Sequence, residues 1–265
     1  MQLCRYQSAG GPQWGQVVEG HVYVLDGDPF SRTALDPITR APAIQRGPFV
    51  GDLDEVEILA PVTPGKIVAV GRNYAAHAAE LGNDVPEEPL LFFKPPSSVI
   101  GPGEAIVLLP ETGRVDMEAE LAVVIGRAGR FIAAEDAMAH VFGYTCANDI
   151  SDRDFQQKDR QWARAKGFDT FCPLGPWIET ELDLPATWIR GRINGELRQE
   201  GHPGQMVFDI PGLISYISRI MTLQPGDVLL TGTPAGVTAI QPGDVLEVEV
   251  EGIGTLHNPV TALDR

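Results

Sequence analysis

Short apolar runs bounded by glycine, proline and charged residues dominate the hydrophobic pattern, and few of them are long enough to make helices. β-Branched content and length predict strands over 67–71, 90–93, 106–108, 121–125, 143–147, 177–178, 189–193, 228–230, 245–250 and 254–260. Asn194-Gly195, Pro225-Gly226-Asp227 and Pro242-Gly243-Asp244 supply the turns between them. The two Pro-Gly-Asp-Val-Leu copies, at 225–229 and 242–246, read as one turn-to-strand device used twice rather than as a structural repeat. Helices are expected only over 74–81, 134–141, 154–165 and 210–221. Strands do not alternate regularly with helices, which disfavours a doubly wound α/β sheet. The expected fold class is mainly β with short helices (α+β), curled sheets with small peripheral helices.

The first sixty residues differ in texture from the rest. A strand-like stretch over 16–25 is interrupted by a hairpin break at Glu19-Gly20, proline and glycine punctuate 36–48, and Val56–Pro61 reads as a bridge. Residues 1–60 are therefore expected to form a small β-rich N-terminal domain, and 61–265 a larger one opening on the buried strand Ile67-Val68-Ala69-Val70-Gly71.

One strand carries unusual chemistry. Asp116-Met117-Glu118-Ala119-Glu120 runs directly into Leu121-Ala122-Val123-Val124-Ile125. If the strand period of two extends back through the acids, Asp116, Glu118 and Glu120 share one face at spacings of about 7 Å. Like charges on a low-dielectric wall must lie in water, take up protons or hold a cation. A solvated edge that discourages aggregation is the plain alternative. Asp149 supports the cation reading, because it follows a second strand-like run, 141–148, and opens the polar stretch Ile150-Ser151-Asp152-Arg153-Asp154. An oxygen-only set suits Mg²⁺ or Mn²⁺ better than zinc, since no cysteine or histidine joins it.

Composition narrows the partners. The formal net charge of −16 opposes binding to nucleic acid or an anionic membrane, and 43% hydrophobic with 21% charged residues describes an ordinary globular protein. No apolar stretch reaches spanning length and Met1-Gln2-Leu3-Cys4-Arg5 opens no signal segment, so a cytoplasmic location is expected. Cys4, Cys146 and Cys172 are widely spaced and odd in number, which predicts buried free thiols. No dinucleotide or nucleoside triphosphate loop is present. The nearest glycine-rich stretch, Thr231-Gly232-Thr233-Pro234-Ala235-Gly236-Val237, reads either as a tight turn or as a loop whose amides and hydroxyls face an anion.

Other groups fit a site built on those acids. His77 and Glu80, at i and i+3 in Gly71-Arg72-Asn73-Tyr74-Ala75-Ala76-His77-Ala78-Ala79-Glu80, share a helical face where the carboxylate can orient the imidazole, with Asn73 as the expected N-cap. The polar stretch 81–89 that follows suits a lid. Lysines are scarce, only Lys66, Lys94, Lys158 and Lys166. Lys94 ends a hydrophobic strand and Lys166 follows a charged helix, so both offer counter-charge to an anionic substrate or an enolate. A hard metal ion, a His–Glu pair and cations together suit 2-oxo or 2,4-dioxo acids reacting through a metal-bound enolate.

These segments, in this order, resemble the fumarylacetoacetate hydrolase superfamily: Gly71-Arg72-Asn73-Tyr74 with His77 and Glu80; Phe93-Lys94-Pro95; Met117–Ala122; Ala147–Ser151 with Arg153 and Gln156; Lys166–Phe171; and Thr231-Gly232-Thr233-Pro234. Residues 1–60 are similar to a short N-terminal extension of bacterial members named as 2-hydroxyhepta-2,4-diene-1,7-dioate isomerases. The resemblance implies a mixed β-roll, usually a homodimer. It implies Glu118, Glu120 and Asp149 as Mg²⁺ or Mn²⁺ ligands, with Asp116 a neighbour, and His77 and Glu80 as a water-activating dyad. It further implies Lys166 as the stabiliser of the reacting carbonyl, and Arg72, Tyr74, Lys94, Arg153, Gln156 and Thr233 as substrate contacts. Hydrolases, decarboxylases and isomerases share this equipment. An intact dyad favours metal-dependent hydrolytic C–C cleavage of an acylpyruvate-like acid; the alternatives are diene-dioate isomerisation, oxaloacetate-type decarboxylation, and a non-catalytic metal-stabilised binding protein.

Overall fold

The computed structural model describes residues 1–30 and 46–263; the expected proline- and glycine-punctuated stretch 36–48 lies, up to position 45, outside the described residues. Strand is the dominant regular structure of the described residues, and the helices are few and short. A twelve-stranded sheet runs in the order Arg46–Asp52, His21–Leu25, Gly11–Val18, Gln2–Ser8, Cys172–Glu179, Val141–Asn148, Ala119–Ile125, Val228–Leu230, Ile67–Gly71, Leu90–Lys94, with two short strands off this path. The amino-terminal strands thus extend the sheet that carries the acids, joined through Gln2 and Leu3 against Glu179 and Ile178. A five-stranded sheet, Glu196–Gly201, Ile189–Ile193, Val245–Val250, Gly254–Ala262 and Ile106–Leu108, packs across it.

Strand Ala119–Ile125 is buried along its whole length because both of its faces are covered. Leu121, Val123 and Ile125 join the core made with Ile189, Val248 and Leu256 of the five-stranded sheet, whereas Ala122 and Val124 join a second core with Ile67, Leu174, Ile178 and Leu230. The turns obey the expected chemistry. Glu19-Gly20 and Asn194-Gly195 have positive φ at both central residues, as tight hairpins require. In both Pro-Gly-Asp copies the aspartate folds back onto the amide three residues earlier, Asp227 onto Gln224 at 2.6 Å and Asp244 onto Gln241 at 2.9 Å.

Helices α1 (Ala75–Glu80), α2 (Arg153–Asp159), α3 (Ala163–Gly167) and α4 (Ile210–Ile220) lie where helices were expected, with two corrections. The single helix over 154–165 is two, because Arg160 adopts φ 61° and ends α2. Residues 134–140 form a 3₁₀ helix. Helix α4 buries Ile210, Leu213, Ile214 and Ile217, and Asp209 caps it through the Gly212 amide. Cys4, Cys146 and Cys172 are free and buried, and burial pushes each thiol up to about 12. No helix among the described residues is long and apolar enough to cross a membrane.

Asn73 does not cap α1; Tyr74 occupies that position without a side-chain cap bond. The Asn73 side chain is fully buried and ties three segments together, donating to the Phe208 and Thr231 carbonyls at 3.0 and 2.8 Å and accepting from the Phe208 amide at 2.8 Å. These bonds fix the entry to α1 against the loop after Val228–Leu230. Asn73→Ala would strand one buried and two partly buried backbone groups and is expected to destabilise the fold by about 2–4 kcal/mol in urea denaturation; a loss below about 0.5 kcal/mol, the size of a neutral surface change, would refute the tie.

Candidate active site

The acids sit where two strands stop being hydrophobic together. In the antiparallel pairing Ala119 faces Asn148 and Glu120 faces Ala147, so the acidic end of one strand meets the exit of the other at Asp149. Two further bonds set this junction: the Asn148 side chain accepts from the Glu118 amide at 3.0 Å, and the Asp149 amide donates to the Glu118 carbonyl at 2.9 Å. Asp116, Glu118 and Glu120 all line one cavity of about 460 Å³, but the expected continuous strand is two: it breaks at Glu118, and Asp116 lies on the short strand Val115–Met117 of a separate three-stranded sheet. The solvated-edge alternative fails, since all three carboxylates are buried. Ligand oxygens of Glu118, Glu120 and Asp149 lie within 4.8 Å of one another.

Cations are distributed unevenly around this cluster. Lys166 is buried and bridges Glu118 Oε2 and Asp149 Oδ2 at 2.7 and 2.6 Å. Arg153 bonds Glu118 Oε1 at 2.6 Å and Asp116 Oδ2 at 2.8 Å, and Arg114 grips Asp116 from outside. Burial alone would raise the Glu118 pKa, but Lys166, Arg153 and His77 outweigh it and hold the carboxyl below its usual range. Glu120 is treated in the opposite way. Burial first, then the charges of Asp149 and Glu118, push its pKa well above the ordinary value, and among the described residues its one hydrogen bond comes from the Gly232 amide at 2.7 Å. A buried carboxylate short of positive charge, beside two acids and with only oxygen donors around it, fits a hard divalent cation.

The remaining expected residues divide by position. His77, Lys166, Arg72, Arg153, Gln156 and Thr233 line the cavity with the acids. Lys94 does not: its ammonium is enclosed behind Asp149, donating to Oδ1 at 2.6 Å and to the Ile150 carbonyl at 3.3 Å, so the expected substrate contact becomes a hold on Asp149. Tyr74 is likewise off the cavity wall, its hydroxyl buried without a partner among the described residues and its pKa raised by burial and by Glu120. Glu80 also lies off the wall. Both of its oxygens accept from the Gly236 amide at 3.1 Å, and the contact to His77 Nδ1 is 3.5 Å, leaving that buried nitrogen without a hydrogen bond among the described residues. In 231–237 the Gly232 and Gly236 amides donate to the carboxyl groups of Glu120 and Glu80, whereas the Thr231 and Thr233 hydroxyls donate to the Leu121 and Ala119 carbonyls, so the loop is engaged by the protein's own groups. Arg160 and Trp162, also on the cavity wall, carry no sequence signal, because Arg160 reaches the wall only through the break between α2 and α3.

Residues 66–261 match the family described as fumarylacetoacetate (FAA) hydrolase C-terminal, and residues 1–61 match the one described as Rv2993c-like, N-terminal. The chain belongs to the fumarylacetoacetate hydrolase family. Protein Rv2993c of Mycobacterium tuberculosis is 49% identical over 78% of this chain and 80% of its own length. Bos taurus oxaloacetate tautomerase FAHD2B, mitochondrial, is 48% identical over 78% of this chain and 70% of its own. The crystal structure of 5-carboxymethyl-2-hydroxymuconate delta-isomerase from Mycobacterium smegmatis superposes with a TM-score of 0.86 at 42% identity, covering 99% of this chain and all of that one. The likeness extends over the whole α+β fold of this family member.

The pKa of Glu120 gives the metal reading a thermodynamic signature. A carboxyl raised on folding contributes stability that is complete below its unfolded value, about 4.3, and that is lost as pH rises through the folded one. A cation at Glu120 must displace that proton. The gain in melting temperature on adding Mg²⁺ is therefore expected to grow as pH rises through this window in the wild type, and to be smaller and flatter in Glu120→Gln. Calorimetric scans with and without Mg²⁺ read both; a wild-type gain independent of pH would take Glu120 out of the ligand set.

Proposed function

We propose that this protein catalyses keto–enol proton transfer on a 2-oxo acid, with Mg²⁺ or Mn²⁺ held by Glu118, Glu120 and Asp149. The observation that carries this reading is the convergence of three buried carboxylates in a cavity whose wall also presents the Lys166 ammonium and the His77 imidazole. A bound divalent ion would supply Lewis acidity toward the carboxylate and 2-oxo oxygens of the substrate. Lys166, whose pKa Asp149 and Glu118 hold up against burial, adds fixed positive potential where an enolate oxygen gains charge. Arg153 is held in place by Asp116 and Glu118 with Gln156 at 3.0 Å, and the pair is assigned to the substrate carboxylate. The Thr233 hydroxyl, which bonds the Ala119 carbonyl and Gln199, is assigned to the opposite wall.

His77 is assigned as the base. Its imidazole is buried, lines the cavity and retains an unpartnered Nδ1, with Nε2 4.0 Å from Glu118. Moving a proton between carbon and oxygen needs one such group, whereas hydrolysis also needs a water oriented by a closed dyad. Proton transfer is also the chemistry in the names of the bovine tautomerase and the mycobacterial isomerase. Hydrolytic cleavage of an acylpyruvate-like acid, the first expectation from the sequence, stands second. His77 and Glu80 do face each other on α1, but Glu80 is held by Gly236 and would have to turn to orient the ring. The reading includes pairing of two chains, which sedimentation at twice the chain mass checks.

Product analysis separates these reactions. With Mg²⁺, the protein is expected to speed conversion of enol-oxaloacetate to the keto form and to lose this on chelation. His77→Ala is expected to lower kcat by about 10²–10⁴-fold while leaving Mg²⁺ affinity in place, the size of a lost acid–base group. Faster release of pyruvate from acylpyruvates than enol conversion would move hydrolysis to first place. A protein that Mg²⁺ stabilises but that turns over none of these acids would be the non-catalytic binding protein.

A further inference from the structure

Strand Glu196–Gly201 of the five-stranded sheet is polar along most of its length, yet it delivers one side chain, Gln199, to full burial. A local irregularity does this. Gly191 pairs with Gln199 and Arg192 with Leu197, so Arg198 is an extra residue in the ladder, a bulge of the kind that re-aims side chains next to active sites. The partner strand makes room at Gly191, where a Cβ would stand 3.0 Å from the Ala119 Cβ and 3.1 Å from Gln199 Oε1. The 231–237 loop packs on the bulge as closely: a Cβ on Gly236 would lie 2.0 Å from the Arg198 carbonyl oxygen, and one on Gly201 would lie 2.5 Å from the Pro234 Cβ.

Gln199 meets Ala119, the residue between Glu118 and Glu120. Strand Val228–Leu230 pairs with Ala119–Ile125 only as far as Ala122, with one further bond from the Thr231 amide to the Leu121 carbonyl. The Ala119 amide and carbonyl, on the same edge two residues on, are left without a strand, and side chains take both. The amide donates to Gln199 Oε1 at 2.9 Å, and the carbonyl accepts from the Thr233 hydroxyl at 2.9 Å. Gln199 Nε2 in turn donates to the Pro234 carbonyl at 2.8 Å and to Thr233 Oγ1 at 2.7 Å. Three backbone groups fix every proton in this ring. An amide only donates and a carbonyl only accepts, so the Gln199 side chain has one allowed orientation and the Thr233 proton is committed to Ala119.

We infer that Gln199 is a positioning residue of the active site, which holds the Ala119 peptide groups directly and through Thr233 and so sets the spacing of Glu118 and Glu120. This rests on the reading above in taking those acids as metal ligands, and not in the reaction assigned to them. The Ala119 amide belongs to the peptide shared with Glu118 and its carbonyl to the peptide shared with Glu120, so the two bonds hold both links between the ligands. Rotation of either peptide would swing a carboxylate away from the other. Gln199 itself stands behind the cavity wall, on which Thr233 lies. Outer partners that orient metal ligands in this way are worth about 10–100-fold in metal affinity.

Calorimetric titration of Mg²⁺ into the full chain tests this without turnover, and its stoichiometry counts the folded sites, so a partly unfolded preparation does not mimic the effect. Gln199→Met, which keeps the bulk and removes all three bonds, is expected to weaken Mg²⁺ binding by about 10–100-fold. Thr233→Val, which removes the hydroxyl that holds the Ala119 carbonyl, is expected to weaken it by about tenfold, and Thr233→Ser, which keeps that hydroxyl, to leave it close to the wild-type value. Because Gln199 and Thr233 hold one residue, the double variant Gln199→Met with Thr233→Val is expected to lose about tenfold less than the product of the two single losses. Lower stability in urea with Mg²⁺ affinity unchanged would make Gln199 merely structural and overturn the inference. So would single losses that simply multiply in the double variant. Should Gln199→Met fail to fold, the Thr233 pair decides: equal Mg²⁺ affinity in Thr233→Val and Thr233→Ser overturns the inference, and the expected difference upholds it. The expected losses in a protein that turns over no 2-oxo acid would uphold the inference and sink the reaction. Enol conversion by a wild type whose Mg²⁺ affinity Gln199→Met does not move would do the reverse.

Discussion

Burying several carboxylates at the end of one strand is the constraint around which this molecule is arranged. Each such charge loses hydration worth several kcal/mol unless cations and hydrogen bonds replace it. The chain meets that demand with very few groups. Two of its four lysines, one arginine on the first turn of α2 and the amide of Gly232 all converge on the same few oxygens. Each comes from a different part of the sequence, so the compensation also fastens those parts together. Lys94 ends the outermost strand of the large sheet, Lys166 closes α3, and Gly232 follows Val228–Leu230. Removing one of these cations would leave a buried acid uncompensated, which costs far more than the pair contributes while intact.

Compensation is deliberately incomplete at one acid. Glu118 and Asp149 have both oxygens engaged by nitrogen donors, while Glu120 has one amide. The cluster is therefore stable enough to fold and still has a deficit of positive charge at a defined point. That asymmetry separates a binding site from a structural ion-pair network, in which every acid would be satisfied.

The part of this arrangement that depends on strand parity was legible in the sequence. Alternation pointed Asp116, Glu118 and Glu120 to one cavity even though the strand breaks at Glu118, and the hairpin residues Glu19-Gly20 and Asn194-Gly195 carried their own turn type. Less legible were features set by tertiary contact. Asn73 looks like a helix cap until Phe208 and Thr231 claim its amide. The helix over 154–165 has no breaker in its sequence; Arg160 turns left-handed in the chain that packs Trp162 against Gly71. Strand Glu196–Gly201 was missed because it is polar along most of its length, its buried Gln199 being spent on the Ala119 amide and the Thr233 hydroxyl. Lys94 and Tyr74 were recognised as belonging to the site, but only coordinates distinguish a residue that faces the cavity from one that stands behind it.

The two ends of the cavity differ in what holds them, and that difference bears on how one fold supports several reactions. The acids and Lys166 are anchored by strand pairing and by mutual ion pairs, so a shift in any one disturbs the rest. Arg72 and Arg160 sit on turns, with the Trp162 ring packed between them against Gly71. Changing the acids would destroy the electrostatic balance of the core, whereas changing the turns would leave the ion pairs among the acids in place. The left-handed backbone at both arginines fits this division: strain is tolerable on a turn backed by a packed tryptophan, and would not be on the strand that carries the acids.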